Sequence, residues 1–403
     1  MGSPGSPYTA TPEQARAAVV AAQQIPRPGG PGRYGDAAEV LRGLGLIQLD
    51  PLTRVSTAQR LTCLTRMPRR APADDVDPAL WPLSDSGPVS FEAFTKVACV
   101  FPLEDWPLLE LRREAARQRH RHTVEPQVRE RILDLVREHP GGVSTGTVEA
   151  EFGPERTTGW HWSPVKKAVE LMVRMGDLVI TARDGVVRLF DLPERALPSV
   201  VREAEHLPPD ELRAALARRA AEQLAVMTVV DFAHHYHLSR GDAAHGIELA
   251  GLQPVDVEGW RDTAYALPDL LEGTLPGDRA TGDAASPSWS ADRSGLGPVK
   301  EARLIGPFDP LLRDRGRARR IFGFDYRFEA YVPKAQRVYG HYVMGVLSGA
   351  GLIGRVDLWR RDGELVVNRI FPEPGVPRRS VDARARAAAH TLARQLGVGV
   401  SLR

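Results

Sequence analysis

The sequence is short of cysteine and of lysine, and each scarcity excludes something. Cysteine occurs only at Cys63 and Cys99, in apolar surroundings and without C-x-x-C spacing. A disulfide framework, a four-thiolate iron–sulfur cluster and a cysteine-type zinc site therefore all lack their ligands, and no cofactor or metal is expected. The two thiols read as buried and free in a reducing compartment. No stretch approaches the ~20 apolar residues of a membrane span, and the first residues show no basic run followed by an apolar core. The expectation is a cytoplasmic protein with no membrane partner. Lysine is scarce differently: the basic residues are 48 Arg against 5 Lys, and the planar arginine fork is the one that holds phosphate bidentately.

What is present is enough for several small cores. At 403 residues, with 42% hydrophobic and 26% charged, the chain is long for a single core, so three or more domains are expected. The formal net charge of +2 is compatible with basic residues sorted onto one face, and says little by itself about partners.

Thr11-Pro12-Glu13 supplies a cap and a first-turn proline, so a helix is expected through Gln24, followed by helices over 35–44 and 54–67. The run 126–139 has apolar residues at 128, 132, 133, 135 and 136, the stripe of a half-buried helix, and 164–175 repeats it before Gly176. Two short strands then flank Asp184-Gly185, a tight hairpin signal. Helix, helix, hairpin is the pattern of a winged helix with its wing. A similar unit is expected from helices near 210–222 and 228–237 and strands near 253–258 and 263–267. Residues 273–298 are polar, aperiodic and rich in Gly, Pro and Ser, and read as a loop between domains. Strand-like runs at 301–305, 326–332, 341–348, 351–359 and 364–370 suggest a small antiparallel β-barrel, closed by a helix over 381–396. The expected fold is thus α+β: tandem winged-helix domains at 8–122, 123–200 and 201–272, the loop, and a C-terminal barrel at 299–403.

Three groups of residues stand out chemically. In an extended segment, Gln48 and Asp50 of Gln48-Leu49-Asp50-Pro51 point to one side, and Pro51 pushes Asp50 out of the helical region. Ile47 and Leu49 would then anchor to a core while the two polar groups project together. Spacing alone favours an ordinary half-buried strand. Residues 51–73 carry Arg54, Arg60, Arg66, Arg69 and Arg70 with no acidic residue, and a second cluster joins Arg313, Arg315, Arg317, Arg319 and Arg320 to Lys334 and Arg337. These suit phosphate contacts, with a solvated face as the alternative. Lys166 and Lys167 sit early in the expected recognition helix of the second unit, where backbone phosphate would be met. Trp160 and Trp162 read as core packing. His234, His235 and His237 match a metal cluster only in number.

The strings LGLIQLDPLTRV (44–55), GWHWSPVKKAVELMVRMGDLV (159–179), RLFDLPERALP (188–198), GPFDPLLRDR (306–315) and FGFDYRFEAYVPKAQRVYGHYVMGVLSGAGLIGRVDL (322–358) occur in order. Together they resemble the winged-helix DNA glycosylases of the YcaQ and AlkZ type, over nearly the whole chain. The resemblance implies tandem winged helices and a barrel around a duplex-sized channel, action on N-alkylated bases, unhooking of interstrand crosslinks in the YcaQ branch, and a catalytic Gln-x-Gln or Gln-x-Asp. Here that motif is Gln48-Leu49-Asp50. The chain departs from the pattern at Lys96, where relatives carry histidine, and at Ser56, Thr57, Ala58 and Gln59, where they carry Ala-His-His.

The chemistry fits those residue types. N7- or N3-alkylation makes a purine cationic and a good leaving group, and bond breaking leaves positive charge on the sugar. An aspartate stabilises that charge and orients or deprotonates water, while a glutamine positions. Without a lysine near the motif to form a Schiff base, a monofunctional glycosylase is favoured over one with coupled strand cleavage. The expected partner is double-stranded DNA carrying alkylated bases or crosslinks, bound by a monomer. The rival is a non-enzymatic winged-helix DNA-binding protein, a transcriptional regulator or lesion sensor.

Overall fold

The computed structural model describes residues 8–25, 34–82, 87–153, 163–204, 206–271 and 301–403. The expected loop at 273–298 and the tryptophans Trp160 and Trp162 lie outside them. The described residues form a mixed α and β fold, and the chain divides into two compact units, 77–212 and 1–76 with 213–403. The expected first domain, 8–122, spans parts of both.

In the unit 77–212, helices Pro126–Glu138, Thr145–Phe152 and Pro164–Met175 precede an antiparallel hairpin, Val179–Asp184 with Val187–Asp191. The local signals explain the ends. Pro164 occupies the first turn, Ser163 accepts from the Lys166 N–H, and Gly176 terminates the helix at φ +86°. Ile132, Val136, Val169, Met172 and Phe190 meet in one apolar cluster. An isolated antiparallel bridge joins Val143 to Phe190 on the hairpin. A second hairpin, Ser90–Phe94 with Ala98–Pro102, and the helix Glu110–His120 complete the unit.

The other unit holds two sheets. In the first, the order is Tyr8–Ala10, Gln253–Val257, Ala264–Ala266, Met227–Thr228, with helices Val229–Tyr236 and Arg240–Leu249 leading into it. In the second, the order is Arg303–Ile305, Val343–Ser348, Gly351–Arg361, Glu364–Pro372, Gly399–Leu402. Helix Arg378–Gln395 packs on this second sheet.

Three expectations need correction. The second sheet is open among the described residues, and its last pair is parallel, so it is not a closed antiparallel barrel. The run 326–332 is not a strand. Two of its carbonyls, those of Ala330 and Val332, accept from Arg337, and the Val332 N–H turns back to the Glu329 carbonyl, while the buried Glu329 carboxylate accepts from the N–H groups of Val338, Tyr339 and Gly340. The helix expected from 54 begins only at Ala58, because the chain bends over 54–56, Thr57 is extended, and the Arg54 carbonyl accepts from the Arg360 N–H.

Candidate active site

The Gln-Leu-Asp segment is positioned by a helix end. Helix Ala37–Leu44 stops at Gly45, whose φ of +67° belongs to the left-handed region. A Cβ there would lie 1.6 Å from Gln223 Nε2, so any other residue would also have to displace that buried amide. The chain leaves extended through Ile47 and Gln48. Ile47 is fully buried, and Gln48, at 9% exposure, is also largely inside rather than projecting outward as spacing suggests. Leu49 and Asp50 are half-buried. Beyond them Pro51 allows a local turn in which Asp50 Oδ1 accepts from the Leu52 N–H at 3.0 Å. Burial raises the Asp50 carboxyl above its ordinary value, with the Leu52 N–H opposing. A carboxylate so placed is a better proton acceptor and a fixed negative charge at an accessible point.

Around it the second sheet supplies polar groups that the resting fold leaves incomplete. The Arg360 N–H holds the Arg54 carbonyl at 2.8 Å, and the exposed Arg54 guanidinium lies 5.2 Å from the centre of the Trp359 ring. Two residues before Trp359, buried Asp357 accepts from Asn368 Nδ2 at 2.8 Å. Burial raises its carboxyl despite the Asn368 amide, the Tyr342 backbone N–H and the nearby charges of Arg54 and His341. Gly340 packs so closely on this carboxylate that a Cβ would sit 2.2 Å from Asp357 Cγ. Tyr342 is fully buried. Three buried atoms here, His341 Nδ1, Tyr342 Oη and Asp357 Oδ1, have no hydrogen-bond partner among the described residues.

The arginines expected to meet phosphate divide sharply. Arg54 is exposed and Arg60 half-buried, with Arg60 paired to Asp74 at 2.7 Å. Arg66 must be corrected. It is completely buried and donates to Asp309 at 2.7 and 3.1 Å, to the Gln23 carbonyl and Oε1 at 3.0 Å each, and to the Thr62 carbonyl at 2.9 Å, so it is a core residue. Arg315 is half-buried against the Tyr326 ring and donates to the Pro307 and Leu312 carbonyls. Arg337 is half-buried and engaged in its loop, and Arg313 is half-buried. Arg317 and Arg320 bind Asp231. In the other unit, Lys167 is exposed and Lys166 half-buried on the first turn of helix Pro164–Met175. His234 pairs with Asp314 at 2.7 Å and buried His235 with Gln223 at 2.6 Å. Lys96 is exposed, whereas Ser56 and Gln59 are buried.

Sequence reasoning takes Tyr342 for an aromatic core residue and gives no role to His341, Asp357 and Trp359. They lie inside the string 322–358 or just beyond it, and the only available signal was polar residues interrupting strand-like runs. Two cavities of the fold, about 10 Å³ beside Leu64, Met344 and Leu392 and about 60 Å³ beside Trp106, Arg113 and Leu212, do not include Gln48 or Asp50.

Comparison with known proteins supplies the remaining observation. Residues 41–396 match the DNA glycosylase AlkZ-like family. The fold is similar to that of the solved Streptomyces sahachiroi DNA glycosylase AlkZ, with a TM-score of 0.63 at 17% identity, covering 98% of this chain and 100% of that one.

Proposed function

The chain belongs to the AlkZ-like DNA glycosylase family and is a DNA glycosylase; from that premise we propose that it hydrolyses the N-glycosidic bond of cationic N7- or N3-alkylated purines in duplex DNA and unhooks N7-linked interstrand crosslinks. The observation that carries this reading is Asp50: a half-buried carboxylate, raised by burial and fixed by the Leu52 N–H, two residues after Gln48 at the end of the short strand Ile47–Gln48. Asp50 stabilises positive charge developing on the deoxyribose and orients or deprotonates the attacking water, while Gln48 positions water or nucleotide. A cationic base leaves without being protonated, so the motif needs no acid. The half-exposed setting of Asp50 supports access by a bulky or tethered lesion.

For DNA binding we read residues 123–200 as a winged-helix module, with Lys166 and Lys167 at the start of its recognition helix, and Arg54 and Arg60 as the phosphate contacts next to the motif. Family membership sets aside the non-enzymatic regulator.

The test of substrate class is single-turnover excision from matched duplexes. Release of 7-methylguanine is expected to exceed release of uracil by at least about 100-fold, a factor within the range a missing general acid accounts for. An N7-linked crosslink should be unhooked to leave an abasic site. Comparable rates on uracil would show that the site protonates neutral leaving bases and would overturn the proposed selectivity.

A further inference from the structure

Tyr342 is the buried polar side chain that the proposed mechanism leaves without a task. Its ring is fixed edge-on against Phe328, with centroids 6.1 Å apart and planes at 83°. Its backbone carbonyl accepts from the Leu358 N–H at 3.3 Å, on the same strand whose Arg360 N–H holds the Arg54 carbonyl. That strand therefore carries the chain following Asp50 beside Tyr342. The side chain is completely buried, yet its hydroxyl has no hydrogen-bond partner among the described residues. A buried hydroxyl without a partner is costly, so its retention calls for a state in which it is satisfied.

The Asp50 charge is near enough to act on the Tyr342 hydroxyl. Burial, the Tyr326 hydroxyl and the Asp50 charge, in that order, push the Tyr342 hydroxyl far above its ordinary value. It is consequently a neutral donor at any working pH. Of the two Asp50 oxygens, Oδ1 is held by the Leu52 N–H. The other titratable groups of this region are His341 and Asp357, which interact with each other and with Arg54.

Resting on the reading of Asp50 as catalytic, we propose that Tyr342 is a positioning residue for it: in the DNA-bound state its hydroxyl donates to the Asp50 carboxylate, directly or through one water, and fixes the orientation from which that carboxylate acts. The donor keeps Asp50 ionised and aimed, and nothing covalent passes through the phenol.

Because the hydroxyl is unpaired at rest, Tyr342→Phe separates a positioning role from a structural one. The variant should be as stable as the wild type, or slightly more, because it deletes an unsatisfied polar atom and keeps the ring against Phe328. Single-turnover release of 7-methylguanine at saturating enzyme should nevertheless fall roughly 10- to 100-fold, the factor carried by a hydrogen bond to a charged group. The acid limb of the pH–rate profile should move to higher pH, because Asp50 loses a donor to its charged form. Combining Tyr342→Phe with Asp50→Asn should slow the reaction no further than Asp50→Asn alone.

Wild-type rate and an unmoved acid limb in Tyr342→Phe, alongside a slow Asp50→Asn, would overturn this inference and leave Asp50 in place. A wild-type rate in Asp50→Asn would overturn both. A destabilised Tyr342→Phe whose rate loss is independent of Asp50→Asn would make the hydroxyl structural and likewise reject the proposal.

Discussion

Two clusters of buried polar groups in the same unit follow opposite rules. At Arg66 every donor is matched: the five N–H groups of the guanidinium meet Asp309, Gln23 and the Thr62 carbonyl, and Asp309 also accepts from the Leu311 N–H at 3.0 Å. Beside the Gln-Leu-Asp segment, a tyrosine hydroxyl, an imidazole nitrogen and a carboxylate oxygen are all buried and unmatched among the described residues. A fold that satisfies one cluster completely has the means to satisfy the other. The difference marks the first as a fastening of the core; unmatched buried atoms also occur elsewhere among the described residues, at Trp81 and Arg303 for instance, and what sets the second cluster apart is its place beside the candidate motif.

The strongest way to break this contrast is at the matched cluster. Arg66→Met leaves Asp309 buried with its ion-pair partner gone, which costs about 3–5 kcal/mol, and adding Asp309→Leu should recover most of it. Urea midpoints of the single and double variants measure both effects. A single variant as stable as the wild type would mean that the matched cluster holds nothing together.

A smaller effect sharpens the comparison at its exposed margin. Arg54 reaches solvent across Trp359, and its loss should cost only about 0.5–1 kcal/mol of stability. The slope of log affinity against log salt for undamaged duplex should fall by about 1 if it contacts one phosphate. Arg60→Ala should change that slope less, since Asp74 already holds its guanidinium. The two slopes, measured by titration at several salt concentrations, would count against Arg54 as a phosphate contact if neither moved.

The sequence disclosed what local rules control. Pro164, Gly176 and the apolar stripes of 126–139 and 164–175 announce two helices and a hairpin, and the structure has them at Pro126–Glu138, Pro164–Met175 and Val179–Asp191 with a further helix at Thr145–Phe152. The extended geometry of the candidate motif also followed from Pro51. Non-local pairings were invisible. Arg66 looked like one of a row of surface charges because its partner, Asp309, lies 243 residues away. Helix Arg315–Phe322 went unnoticed because an arginine, Arg317, stands on its buried face and binds Asp231 in another element. The strand Gly399–Leu402 pairs parallel with Glu364–Pro372 across the helix Arg378–Gln395, a crossover that alternation cannot reveal. Run 326–332 has strand composition, but the Ala330 and Val332 carbonyls accept from Arg337, and the Val332 N–H donates to the Glu329 carbonyl rather than to a neighbouring strand.

The central claim is that Asp50 performs the chemistry, and one substitution addresses it most directly. Asp50→Asn keeps the size of the side chain and an oxygen for the Leu52 N–H while deleting the charge. Single-turnover release of 7-methylguanine at saturating enzyme, with duplex affinity measured in parallel, should show a rate loss of roughly 10²–10³ at unchanged affinity. Release at the wild-type rate would contradict the account and move the chemistry to other residues.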